Sequence, residues 1–146
     1  MRAGDVPFSE TTLQVLAGSL ARHGDREAIL YFDRDGVKRW TFREVSEAVH
    51  RLAVGLAAEG CGPGSTVAVC AANRPEWIIA CFAIWKAGAI VVPLDTQMSD
   101  EAMRHVLPDA EIRLIFTQTT DEEVIDLLAR AAVFHRCQSR PAGSDR

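Results

Sequence analysis

The sequence predicts an α/β fold, a parallel sheet flanked by helices with an added β-hairpin. Three observations carry that expectation. Short runs of buried character, Thr66-Val-Ala-Val-Cys-Ala, Ala89-Ile-Val-Val-Pro-Leu and Arg113-Leu-Ile-Phe-Thr, alternate with segments of helical period, and such alternation packs as a parallel sheet with right-handed crossovers. An Asp-Gly step stands between two extended runs upstream, a strong hairpin signal. The 146 residues are 48% hydrophobic, enough to bury one core.

Taken in order, the first element is a helix over residues 11–23. Leu13, Leu16, Ala17 and Leu20 share one face, Ser9 precedes them, and Gly24 follows as a left-handed terminator. Ala28-Ile-Leu-Tyr-Phe and Val37-Lys-Arg-Trp then flank Asp33-Arg-Asp-Gly36, giving a hairpin that should lie outside a larger body. Thr41-Phe-Arg-Glu44 has the form of a capping box. Behind it Val45, Ala48, Val49, Leu52, Ala53 and Leu56 form one apolar stripe, so a helix is expected over residues 42–59.

Gly60-Cys-Gly-Pro-Gly64 ends that helix. Its glycines suggest a phosphate loop, but they lie after a helix and before a strand, the reverse of the dinucleotide fingerprint. Phosphate binding is not expected there. The strand from Thr66 leads to Asn73-Arg-Pro-Glu76, read as an N-cap, an early helical proline and a reciprocal glutamate. Trp77, Ile78, Cys81, Phe82, Ile84 and Trp85 are spread around the helix that follows, which implies burial on more than one side.

A second strand, residues 89–94, comes next. Ser99 then caps a helix containing Met103, Val106 and Leu107, the strand from Arg113 follows, and Thr120-Asp-Glu-Glu123 opens a last helix. From Phe134 the periodicity is lost. The expected organisation is one partial domain over residues 1–135 and an irregular tail over residues 136–146.

Composition excludes several functions. A net charge of −4 leaves no surplus of cations for a phosphate backbone, so nucleic acid is not an expected partner. Cys61, Cys70, Cys81 and Cys137 are irregularly spaced, without a C-x-x-C pair, and read as reduced, mostly buried thiols. The amino terminus lacks the apolar stretch of a secretory signal, so a cytoplasmic location is expected. Residues 77–94 are apolar enough to suggest a membrane span, but Lys86, Gly88 and Pro93 divide them into a helix and a strand, whereas a span needs about 20 apolar residues.

Three stretches carry a resemblance to a known family: Trp40-Thr-Phe-Arg-Glu-Val45, Asn73-Arg-Pro-Glu-Trp77 and Ile84-Trp-Lys-Ala-Gly-Ala-Ile-Val-Val-Pro-Leu-Asp95. Together, and with Ser99-Asp-Glu101 and Asp109-Ala-Glu-Ile-Arg113 in place, they resemble the start of the AMP-forming acyl-CoA synthetases of the adenylate-forming superfamily. The third stretch is the most specific. The likeness runs from Ser9 to Ala132, with Pro63-Gly-Ser-Thr-Val67 standing where relatives have a shorter turn. Val92-Pro-Leu-Asp-Thr-Gln97 is most similar to long-chain fatty-acyl members.

That resemblance implies an incomplete amino-terminal subdomain of the adenylate-forming fold. It also implies a ligase that activates a fatty or other carboxylic acid with ATP and magnesium and passes the acyl group to CoA. By the same resemblance, Thr96 and Gln97 are expected to touch CoA in the complete enzyme. The family's Ser/Thr/Gly-rich phosphate loop, its later acidic motifs and its carboxy-terminal lysine do not occur in these 146 residues. No catalytic or metal-binding residue is therefore expected here, and the fragment, without the missing carboxy-terminal portion, is expected to bind no cofactor well and to be inactive. Two other readings stand beside it, a non-catalytic α/β interaction module derived from such an enzyme and an independent nucleotide-binding or receiver-like domain. The latter would require acidic residues clustered at strand ends, and only Asp95 stands at one.

Overall fold

A computed structural model describes residues 11–118 and 133–136 of the chain. The elements are α1 (Thr12–His23), β1 (Glu27–Asp33), β2 (Gly36–Thr41), α2 (Phe42–Ala58), β3 (Thr66–Cys70), α3 (Pro75–Lys86), β4 (Ile90–Pro93), α4 (Asp100–Asp109), β5 (Ile112–Thr117) and β6 (Val133–Arg136). β1 and β2 form a separate antiparallel pair. The other four strands make one parallel sheet in the order β4-β3-β5-β6. The α/β expectation, with a hairpin outside a parallel sheet, is what the chain adopts.

Local chemistry sets most boundaries. Two helices begin with complete capping boxes: Thr11 with Gln14 at α1, and Thr41 with Glu44 at α2. α2 and α3 both end with paired carbonyl-satisfying bonds. Gly60 N–H donates to Ala57 O at 3.0 Å and Cys61 N–H to Leu56 O at 2.8 Å, while Gly88 N–H donates to Trp85 O and Ala89 N–H to Ile84 O, each at 3.0 Å. This geometry needs a left-handed residue just past the cap, and Gly60 and Gly88 supply it with φ of 72° and 80°.

Period two in the strands divides the core into two layers. On one face Val67, Val69 and Leu114 pack with Val45, Val49, Ala53 and Leu56 of α2 and with Ile79, Ala83 and Ile84 of α3. On the other, Ala68, Cys70 and Ile115 pack with Met103 and Leu107 of α4, joined by Ile112 where the register shifts at the start of β5. The third layer follows from topology. The chain passes from β3 to β4 on one side, then crosses back over β3 to reach β5, so right-handed crossovers place α3 and α4 on opposite faces.

Four expectations require correction. Gly24 caps α1 with φ −41°, a right-handed conformation, because the chain turns directly into the hairpin through Arg26 N–H to His23 O. The N-cap of α3 is Arg74, not Asn73, since Pro75 occupies its first position and no side chain caps it. α3 also has an exposed side, with Ile78 and Trp85 both more than a third exposed, even though Ile79, Ala80, Cys81, Ala83 and Ile84 are buried. Finally, the backbone from Phe134 is not irregular throughout: Phe134, His135 and Arg136 pair in register with Ile115, Phe116 and Thr117. The helix expected from Thr120, the residue Ser9 and the tail beyond Arg136 lie outside the described residues. Among the described residues, no helix is long and apolar enough to cross a membrane.

Candidate functional site

Strand order changes direction between β3 and β5, and open α/β sheets open a crevice at the carboxyl ends of the strands flanking such a point. Two concavities occupy that end of this sheet. The first is an apolar groove of about 460 Å³. Val69 and Phe116 form its floor, Ala48 and Leu52 of α2 and Ile79 and Ala80 of α3 its sides, and Trp40 and Trp77 its shoulders, with Arg51, Arg74, Glu76 and Gln118 also lining it. The second, about 530 Å³ and more open, lies between the exits of β3 and β4 and is lined by Ala71, Ala72, Asn73, Pro93, Leu94, Asp95 and Thr96. Trp77 and Ala71 form a wall common to both.

The loop after β4 explains where the two residues expected at CoA stand. The Asp95 carboxylate accepts from the Gln97 amide at 2.8 Å, and the Asp95 carbonyl accepts from Met98 N–H at 3.1 Å. This turn, driven by an aspartate that satisfies its own following backbone, delivers the chain to Ser99, whose hydroxyl caps α4 on the Ala102 amide. Thr96 consequently lines the open cleft, whereas Gln97 is exposed and is not among its lining residues. Asn73, missed as a site residue, lines the same cleft from the β3 side; the motif that contains it was legible, but the residue had been given a capping role.

Arg74 supports the groove's rim. Its Nε donates to Glu76 at 3.3 Å, and its guanidinium lies 5.9 Å from the centre of the Tyr31 ring, a cation–π distance. The hairpin is thus tied to the start of α3. Arg51, by contrast, is well exposed and only loosely paired, 3.7 Å from Glu47.

No cysteine lines either concavity. Cys61, Cys70 and Cys81 are free and buried, and burial pushes the Cys81 thiol up to about 11. Burial also raises the thiols of Cys70, beside Asp95, and of Cys61, where Arg113 opposes it; none is a ready thiolate. Cys137 lies outside the described residues. Lys86 is exposed at the end of α3, by the amino end of β4. It is at the opposite end of the sheet from Asp95, and His105 is exposed on α4.

The fit to ATP with magnesium is poor on these residues. Among the described residues no group of three or more His, Cys, Asp or Glu is placed to hold a metal ion, and no glycine-rich loop opens onto either concavity. For CoA the open cleft offers the Thr96 hydroxyl, the Asn73 amide and the Asp95 carboxylate, but no cationic side chain. It can meet a nucleoside's polar edges and cannot by itself neutralise phosphates.

Known proteins share this chain's sequence pattern and fold. Residues 16–142 match the family described as AMP-binding enzyme. Phosphinothricin tripeptide synthetase PhsC of Streptomyces viridochromogenes is 38% identical over 115 residues, which are 78% of this chain and 10% of that protein. The anthranilate CoA ligase AuaEII, solved with anthranoyl-AMP, superimposes with a TM-score of 0.71 at 25% identity, over 89% of this chain and 24% of that one. O-succinylbenzoate coenzyme A synthetase (MenE) of Bacillus subtilis, solved with ATP and magnesium, does so with a TM-score of 0.73 at 26% identity, over 83% of this chain and 32% of that one. The chain therefore spans a third or less of the length of each of these relatives.

Proposed function

The chain belongs to the AMP-binding enzyme family, and we propose that it is the amino-terminal portion of a ligase that activates a carboxylic acid with ATP and passes the acyl group to CoA or another thiol carrier. The observation that carries this is the family match over residues 16–142. It spans the stretch from Ile84 to Asp95, here the end of α3, the Gly88 turn, β4 and the loop bearing Thr96.

The acid is proposed by class only. The fatty-acyl reading rested on Val92-Pro-Leu-Asp-Thr-Gln97 followed by Ser99-Asp-Glu101, and the names of the matched proteins point instead to a peptide synthetase and to ligases of aromatic acids. Aryl and amino acids therefore stand ahead of long-chain fatty acids as substrates to try. ATP, when bound to the complete enzyme, supplies the phosphorus that the carboxylate attacks. This chain's own contribution is positional: α2, α3 and the sheet hold the exits of β3, β4 and β5 at one end, and Thr96 and Asn73 both line the open cleft.

Reading the DNA beyond codon 146 in all three frames tests the proposal. A Ser/Thr/Gly-rich loop ending in Pro-Lys-Gly supports a ligase. Its absence from every frame favours the non-catalytic module.

A further inference from the structure

Resting on the reading that CoA enters the open cleft of the complete ligase, we infer that Tyr31 is a positioning residue for that cleft. It acts through Arg74, whose side chain it helps to fix at the start of α3, and so sets the place of Asn73 and Trp77 in the cleft wall. The alternation of the hairpin puts Tyr31 where this is possible. Period two sets Ile29, Tyr31 and Asp33 on one face of β1, and Ile29 packs against the core beside its ladder partner Trp40. Leu30 and Phe32, on the other face, are 50% and 73% exposed. Tyr31 is therefore the next side chain beyond the anchored base of the hairpin, on the side that meets the body, and the Arg74 guanidinium lies over its ring at 5.9 Å.

The start of α3 needs such a support. Its N-cap is Arg74, no side chain caps it, and Pro75 at its first position brings no amide. The Arg74 side chain supplies from outside what the helix lacks in a cap. Its Nε donates to Glu76 at 3.3 Å, and on the hairpin it meets Tyr31. It also stands near Asp33, whose carboxyl is held below its ordinary value by the Lys38 hydrogen bond first, with Arg74 among the smaller contributions. Asn73 immediately precedes this tethered residue and Trp77 follows within the first helical turn; both line the cleft. A cation–π contact at a part-exposed site changes an equilibrium by a factor of about two to five, which is the size of effect expected at the cleft.

The first measurement is amide hydrogen exchange in the 146-residue chain, read at Trp77, whose N–H donates to the Arg74 carbonyl at 3.0 Å. Tyr31→Leu keeps apolar bulk and removes the ring, and Arg74→Met keeps the stem and removes the charge. Each should speed that exchange about two- to fivefold. Combining them should add little to the larger single effect, and Tyr31→Phe, which retains the ring, should exchange like the parent. Should Tyr31→Leu not fold, as judged by circular dichroism, Tyr31→Thr replaces it. Val49 and Leu52 of α2 are the reference: a rise shared with them is general loss of stability and overturns the inference, as does parental exchange at Trp77 in the ringless variant. The second measurement is steady-state kinetics of the complete ligase, with Thr96→Val as companion. Tyr31→Leu should raise KM for CoA about two- to fivefold with kcat and KM for ATP at parental values, a split that partial unfolding does not produce, and Tyr31→Phe should keep the parental KM. If Thr96→Val raises KM for CoA and Tyr31→Leu does not, the inference fails and the reading of the cleft stands. If neither raises it, the reading fails and the positioning role falls with it.

Discussion

Phe116 stands opposite Val69 in the parallel ladder between β3 and β5, yet Val69 is 1% exposed while Phe116 remains half-buried on the groove. The pair should therefore invert the usual order of cost. Val69→Ala removes a side chain that is almost wholly buried beneath the groove and is expected to cost about 2 kcal/mol. Phe116→Ala removes a much larger side chain but enlarges a space already open to solvent, so it is expected to cost no more than that. Urea unfolding of the two variants decides; a loss at Phe116 of about 3–5 kcal/mol, typical of an enclosed phenylalanine, would show that the groove is closed in solution.

Backbone conformation gives a second pair with opposite signs. Gly88 has φ 80°, and a Cβ there would meet Pro63 Cγ at 3.2 Å, so Gly88→Ala is expected to destabilise by about 1–2 kcal/mol from the left-handed conformation alone. Glu111, just past α4, holds φ 47° without being glycine. Glu111→Gly relieves that strain against the added flexibility of the unfolded chain and is expected to stabilise by less than about 1 kcal/mol. Thermal melts of both variants against the parent check the signs.

The capping box of α2 predicts a pH dependence. The amide and hydroxyl of Thr41 donate to Glu44 at 2.8 and 3.0 Å, and these bonds, the amide first, hold the Glu44 carboxyl below its ordinary value of 4.5. A depressed native pKa adds stability that is complete above the ordinary value and is lost as pH falls through the native one. The gap in stability between the parent and Glu44→Ala should be constant near neutral pH and shrink on acidification below the ordinary carboxylate range. Thr41→Ala, which removes the reciprocal acceptor, should cost about 1 kcal/mol. A gap that widens in acid would contradict the assignment.

Caps, stripes and the Gly88 turn were legible because each is decided within a few residues. Thr41 and Glu44 are three positions apart, and the stripe from Val45 to Leu56 repeats at helical period, so the sequence alone places α2 to within a residue of its observed end. The groove was not legible. Trp40, Leu52, Ala80 and Phe116 come from four elements and meet only because β5 pairs with β3 on the side away from β4, a choice that no local pattern encodes. Arg74 was misplaced for a related reason: a capping asparagine and an early proline looked sufficient, whereas the proline sets the helix start one residue later. At the open cleft, the family resemblance suggested Thr96 and Gln97 together, but the Asp95 turn separates their surroundings.

That separation yields a prediction for the complete enzyme. Thr96→Val, which keeps shape and removes the hydroxyl, is expected to raise KM for CoA several-fold with KM for ATP unchanged, as the loss of one hydrogen bond worth about 1 kcal/mol requires. Gln97→Ala, at an exposed position held by its backbone, should have the smaller effect on CoA. Steady-state kinetics with each substrate varied in turn is the measurement, and equal changes in both KM values for Thr96→Val would remove Thr96 from the CoA site.

The 146-residue chain by itself is expected to form no acyl-adenylate from ATP and a fatty, aromatic or amino acid. Activation of a carboxylate demands charge stabilisation at the transferring phosphorus and in-line positioning, and each factor of ten in rate requires about 1.4 kcal/mol of it. The groups within reach of the two concavities do not supply this. Arg74 is spent on Glu76 and Tyr31, Arg51 on the groove's rim is exposed and paired with Glu47, Lys86 lies at the far end of α3 from both concavities, and the open cleft carries a carboxylate, an amide and a hydroxyl without a cation. The assay is acid-dependent exchange of pyrophosphate into ATP with the purified chain, against a full-length relative carrying a disabled phosphate loop as background. Exchange above that background would mean that the described residues hold a catalytic arrangement not recognised in either concavity. Exchange that appears only when the remaining portion of the ligase is supplied would locate the chemistry outside this chain and leave residues 16–142 as the scaffold on which it is assembled.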